Sequence, residues 1–285
     1  MVEEVIDVLH DEVVQLGAEL VIVDGTKGGD AVDRDAVDLP PDDLRVSCHP
    51  GADVFQLRAY GLAEARGDIV AVTEDHSVPT VGYLHSILDA HRRHDAPAVA
   101  GAVVNGSSKR WIDRVNFLVV HARNLPPVST LPGSGWVPTP TNESLKRSAV
   151  PEGVPDPGWL ETVHNVVLVQ TGQVVFDDKI VVRHVQSLGT VGTIRNHFHA
   201  GRSMGGLARD AVGDRPAQLR WGARSAVALP RNLVRPAWEV AQRDRAHRRE
   251  ILPLLPAVFA LSLVAVIGFV CGVVAGPGAS ADLVE

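Results

Sequence analysis

Twenty-five consecutive residues, Ile251 to Ala275 (ILPLLPAVFALSLVAVIGFVCGVVA), carry no charged side chain. A helix needs about 20 apolar residues to cross the hydrocarbon of a bilayer, so this run predicts a transmembrane helix. Pro253 and Pro256 stand near its start, where membrane helices tolerate them. Arg243, Arg245, Arg248 and Arg249 precede it directly, and the tail GPGASADLVE has no Lys or Arg. The positive-inside rule then places the preceding part of the chain in the cytoplasm. The opening MVEEVIDVLHDEV is acidic and amphipathic and does not have the form of a signal peptide.

Charge is distributed unevenly. Residues 1–75 hold 18 Asp/Glu against 5 Lys/Arg, and residues 201–250 hold 11 Arg and no Lys against 5 Asp/Glu. A basic segment just before an apolar run fits an anionic lipid surface. No nucleic-acid-binding motif accompanies it, and only 5% of residues are aromatic, so nucleic acid is excluded as a partner. Cys48 and Cys271 are far apart and match no zinc or disulfide framework, which fits a reducing compartment.

Between the termini, helical and strand patterns alternate. Val5, Val8, Leu9, Val13 and Leu16 recur with a helical period. AELVIVDG then reads as a buried strand ending at Asp24, LRVSCH as a short strand, and VFQLRAYGLAEA as a helix. DIVAVTED is a strand that ends in polar residues, TVGYLHSILDAHRRH a helix and APAVAGAVVNG a strand. Such alternation predicts a mostly parallel α/β sheet flanked by helices, with ligands bound beyond the carboxyl ends of the strands. Asp24 and Thr73–His76 both stand at such ends. Further on come a helix in PGWLETVHNVVLVQTG, short strands in VVFDDKIVVRHVQS and a basic helix in TVGTIRNHFHAGRSMGGLARDAV.

These pieces, in this order, resemble the family 2 glycosyltransferases. The resemblance rests on ELVIVDGT, GADVFQLRAYGLAEARGDIVAVTEDHSVP, GAVVNG, PTNESLKRSAV, GWLETVHNVVLVQTGQVVFDDKIVVRH and HFHAGRSMGGLAR, and covers roughly residues 3–210. It implies a GT-A-like (Rossmann-like) fold, lacking the usual first strand, with a C-terminal transmembrane helix. It also implies transfer of a sugar from a nucleotide-sugar donor to a glycan or lipid-linked acceptor, with inversion and the help of Mg²⁺ or Mn²⁺.

Site residues follow from the same resemblance. Asp24 matches the acid that contacts the donor's base or ribose. Thr73-Glu74-Asp75 stands where the family has an Asp-x-Asp signature, so Glu74 and Asp75 are expected at the nucleotide sugar and Asp75 on the metal. The first acid of that signature is replaced here by Thr73. His184 is expected near the metal or phosphate, and Glu161 as the base that deprotonates the acceptor hydroxyl. Helical spacing, not the resemblance, puts Arg195, His199 and Arg202 near one face of the basic helix, which suits a diphosphate or an anionic lipid headgroup. His76 is expected to be a structural neighbour.

The expected organisation is a nucleotide-sugar-binding α/β half (1–110), an acceptor and catalytic half (111–210), a basic juxtamembrane segment (211–250) and the membrane helix (251–275). Two functional classes remain open. One is a membrane-anchored glycosyltransferase facing the cytoplasm. The other is a non-catalytic remnant that binds a nucleotide sugar, a lipid or a protein partner. GTKGGD lacks the Gly-Lys-Ser/Thr ending of a phosphate loop and no Gly-x-Ser-x-Gly elbow occurs, which excludes a P-loop nucleotidase and argues against an esterase.

Overall fold

The computed structural model describes residues 2–34, 37–107, 109–128, 138–154, 158–159, 161–210, 212, 214–243 and 245–283, with side chains at all of these but 140, 161–163, 208, 210 and 281–282. In chain order the elements are α1 (Val2–Leu16), β1 (Leu20–Asp24), β2 (Leu44–Cys48), α2 (Val54–Glu64), β3 (Ile69–Val72), β4 (Ser77–Pro79), α3 (Tyr83–Arg93) and β5 (Ala98–Asn105). There follow α4 (Trp111–His121), β6 (Glu143–Lys146), α5 (Glu161–Gln170), β7 (Val174–His184), α6 (Gly189–Asp210), α7 (Arg215–Arg243), α8 (Arg245–Ile251) and α9 (Leu255–Ala275). They divide into two compact units, residues 1–106 with 124–185, and residues 107–123 with 186–285. Helix α4 therefore groups with the C-terminal helices, and the divisions between the two units fall beside 106, 123 and 185.

In the first unit, α1 buries Val5, Ile6, Leu9 and Val13 along one face. Gly17, at φ +57°, ends it in a conformation that other residues adopt only with strain. Glu12 on the same helix is buried, and its carboxylate accepts from the backbone N–H groups of Gly82 (2.7 Å), Tyr83 (3.1 Å) and His85 (3.1 Å). Helix α3 has no side-chain cap of its own, so α1 supplies one: an anion on the orphan donors of its first turn. Helix α2 starts in a capping box between Asp53 and Gln56.

The strands form two sheets. β1 and β2 pair in parallel on their own, and the other five lie in the order β3-β6-β5-β7-β4. Only β5/β7 is parallel in that sheet, whereas β3/β6, β5/β6 and β4/β7 are antiparallel. The mostly parallel Rossmann-like sheet expected from the alternation is thus met only at β1/β2 and β5/β7. The reasons are local: β4 is separated from β3 by four residues, too few for a crossover, and α4, the helix between β5 and β6, groups with the second unit.

β3 and β4 are the two edges of this sheet, yet only residues 73–76 join them. Five Cα steps reach about 18 Å at most, against about 19 Å across four strand spacings in a flat sheet. A turn bond from Ser77 N–H to the Glu74 carbonyl (2.9 Å) shortens the link further. The sheet must curl, and Thr73–His76 runs across its end. Beneath lies a core of Ala59, Leu62, Val70, Val72, Ala98, Leu145, Trp159 and Leu168.

The second unit is helical. Helix α9 lies along α6 and α7 and buries Val258, Leu261, Val266, Phe269 and Val273. Among the described residues, one helical stretch, Arg245–Ala275, is long and apolar enough to cross a membrane.

Candidate metal and nucleotide site

The apolar strand β3 ends at Val72, and the next four residues turn across the sheet end. Thr73 fixes the turn, its hydroxyl placed to donate to the carbonyls of Ser77 and Thr141 (3.3 Å each). The β4/β7 register sets Ser77 opposite His184, so the residue just before β4, His76, comes beside the last residue of β7. Their rings meet edge to face with centroids 4.7 Å apart.

Glu74 faces both. Its Oε2 lies 3.4 Å from His76 Nε2 and 3.9 Å from His184 Nε2, and it accepts from the Thr141 hydroxyl at 3.1 Å. The other oxygen, Oε1, accepts from Arg58 of α2 at 2.5 Å. Donor atoms of Glu74, His76 and His184 all lie within 4.8 Å of one another, close enough to share one cation. Asp75 points elsewhere: its side chain is 71% exposed and accepts from His76 Nδ1 at 2.7 Å.

The electrostatics follow from burial and these partners. His184 is 6% exposed, and the loss of solvation pushes its pKa down to about 4 against the opposing pull of Glu74, so it is neutral at pH 7 with a lone pair to offer. Burial alone would lower His76 as well, but the Asp75 hydrogen bond and the Glu74 charge outweigh it and raise its pKa. The hydrogen bond from His76 holds the Asp75 carboxyl below the ordinary value. With Nδ1–H given to Asp75, Nε2 is the His76 atom that faces Glu74 and could serve a cation once deprotonated, an arrangement in which a carboxylate orients the imidazole. Two imidazoles and one carboxylate suit a transition ion such as Mn²⁺ better than Mg²⁺, which prefers oxygen.

The expected residues are brought together only in part. Glu74 and His184 meet. Asp75, expected on the metal, contacts His76 instead because its side chain leaves the turn on the solvent side. Asp24 is buried, and its two oxygens accept from the backbone N–H of Thr26 (2.7 Å) and Ala31 (2.9 Å), so it ties down the loop after β1. Burial opposes the charge there, yet these backbone donors leave the pKa lowered. Helix α2 packs beside both places, with Leu57 against Gly25 and Arg58 on Glu74. Arg202 is in the second unit, where its Nε donates to the Gly276 carbonyl at 3.2 Å. Glu161 begins α5, and its side chain lies outside the described residues.

His76, Arg58 and Thr141 complete the arrangement without having been singled out as ligand or partner. The spacing Glu74-x-His76 was a usable signal for the first. Arg58 and Thr141 reach Glu74 only through tertiary packing.

No protein-family profile matches the chain, and no curated protein matches it. Solved structures similar to it include S. aureus TarS 1–349, at 10% identity and a TM-score of 0.42, with 94% of this chain and 87% of that one covered. The same TarS fragment in complex with UDP-GlcNAc matches at 11% identity and a TM-score of 0.42, covering 88% and 80%. Likeness at this level assigns no chemistry, which has to come from the site itself.

Proposed function

We propose that the first unit binds a nucleotide-diphosphate sugar with a divalent cation, and that the chain is a glycosyltransferase acting on a glycan or lipid-linked acceptor of the cell envelope. The observation that carries this reading is the convergence of Glu74, His76 and His184 at the curled end of a sheet. The ordered resemblance to family 2 glycosyltransferases supports it. A cation bound there would neutralise the negative charge that a diphosphate leaving group gains as the glycosidic bond breaks. Glu74 and the two imidazoles would hold it, and Asp75 would orient His76. Arg58 neutralises the second oxygen of Glu74 and fixes the rotamer. Glu161, from a different element, is the proposed base for the acceptor hydroxyl in an inverting displacement.

Thermal unfolding of the full chain against a panel of nucleotide-diphosphate sugars, with and without Mn²⁺, tests the reading. UDP-GlcNAc, bound by S. aureus TarS, belongs in that panel. Stabilisation by a member of the panel only when Mn²⁺ is present is the expected result. Stabilisation by none, at millimolar ligand, contradicts it.

A further inference from the structure

From the packing of the second unit we infer that α9 does not cross the bilayer but lies in its surface, and that α7 and α9 together dock the chain on an anionic lipid face. This inference stands independently of the proposed sugar transfer.

The buried face of α9 is committed to protein. A Cβ on Gly268 would fall 2.0 Å from the Phe198 carbonyl oxygen, and one on Gly272 2.1 Å from that of Arg202. From the α6 side, a Cβ on Gly201 would meet the Ala265 carbonyl oxygen at 2.1 Å, and one on Gly205 that of Phe269 at 2.2 Å. Two Gly-x-x-x-Gly stripes therefore press backbone on backbone. The last carbonyls of α9 lack helical donors, and arginines from both neighbours supply them. Arg215 of α7 donates to the carbonyls of Val273 (3.0 Å) and Val274 (2.6 Å), and Arg202 of α6 to that of Gly276.

Thus α6 and α7 accompany α9 to its far end. A crossing α9 would draw α7 into the hydrocarbon with it. Helix α7 carries six arginines and one acid, Glu239, and Arg220, Arg224, Arg231 and Arg235 are exposed along its length. Apart from the Arg235–Glu239 ion pair (2.5 Å), guanidinium groups exposed at that depth would stand in hydrocarbon without water. The arrangement and a transmembrane α9 exclude each other.

The opposite face of α9 is apolar and open. Phe259, Leu263, Ile267, Val270 and Val274 are all exposed and fall on one stripe. At its start Phe259 shares a groove with Val227, Trp238, Arg231 and Arg235 of α7. Apolar and aromatic side chains beside exposed arginines match an acyl boundary topped by phosphate.

The test uses the full chain with an epitope on its C-terminus, in sealed membrane vesicles of the expressing cell. Protease added from the side that digests the first unit should also remove the epitope. An epitope protected until detergent opens the vesicles would overturn the inference, because it places the tail across the bilayer. Ile267→Glu, at an exposed position, should cut the membrane-bound fraction at least tenfold, and an unchanged fraction would overturn it too. With purified protein, Arg231→Glu should weaken binding to phosphatidylglycerol vesicles roughly tenfold. Equal loss on phosphatidylcholine vesicles, or a soluble dimer that ignores vesicles, would count against lipid docking.

Discussion

Replacing Gly101 with alanine should destabilise the first unit by about 4 kcal/mol, and the structure says how. Gly101 lies in the buried strand β5 where its register with β7 shifts. An added Cβ would fall 2.2 Å from the Ile180 carbonyl oxygen and 2.3 Å from Asn142 Nδ2. Neither neighbour can yield freely. Ile180 belongs to the paired strand, and Asn142 donates to the carbonyls of Ala102 (2.8 Å) and Ile180 (3.1 Å) while accepting from Tyr83 Oη (3.0 Å). Overpacking costs about 1–3 kcal/mol, and displacing Asn142 adds about 1 kcal/mol for each bond lost. Urea unfolding followed by circular dichroism measures the difference. Gly153→Ala is the control: it has positive φ and open space around it, so its cost should be about 1 kcal/mol. In an Asn142→Ala background the Gly101 substitution should cost less, since half of the clash is gone. A loss under about 1 kcal/mol for Gly101→Ala alone would refute the reasoning, because it would mean that the β5/β7 bulge opens without breaking the Asn142 bonds.

Two further outcomes are expected. If Asp75 acts through His76, Asp75→Ala should weaken Mn²⁺ binding by roughly 10–100-fold, and His76→Ala should weaken it more; calorimetry giving the reverse order would make Asp75 the ligand. In the second unit His197 is buried with Nε2 at 2.7 Å from Asn116 Oδ1, and desolvation lowers its pKa to about 4. The unfolded chain takes up this proton near pH 6.5 and the folded chain does not, so the stabilisation is complete above pH 6.5 and is lost as pH falls towards 4. The amount is about 3 kcal/mol at most, and His197→Gln should remove that part of the pH dependence in parallel unfolding titrations.

Much of this architecture was legible in the chain. The helical period of α1, the apolar runs of β1, β3 and β5, and the uncharged stretch of α9 each announce one buried face. What was not legible is pairing. β4 has three residues and β6 reads Glu-Ser-Leu-Lys, too short or too polar for an alternating pattern. β6 is buried all the same, because Asn165 Nδ2 donates to Glu143 Oε2 at 2.8 Å. Strand direction therefore had to be inferred from helix–strand alternation, and the inference fails at β4, which follows β3 with no helix between, and at β6, which runs antiparallel to β5 although α4 lies between them. The site shows the same division. Glu74 and His184 stand out as polar residues at strand ends, but the partnership of His76 with His184 is a consequence of β4/β7 register. The apolar length of α9 was obvious, whereas its committed face depends on glycines in α6, some 65 residues earlier.

The most direct measurement of the central claim is a calorimetric titration of Mn²⁺, followed by a nucleoside diphosphate, into wild-type chain and His184→Ala. The account predicts one Mn²⁺ per wild-type chain, nucleotide binding only after the metal, and loss of both in the variant although its unfolding midpoint is kept. Equal Mn²⁺ and nucleotide affinity in His184→Ala would contradict it.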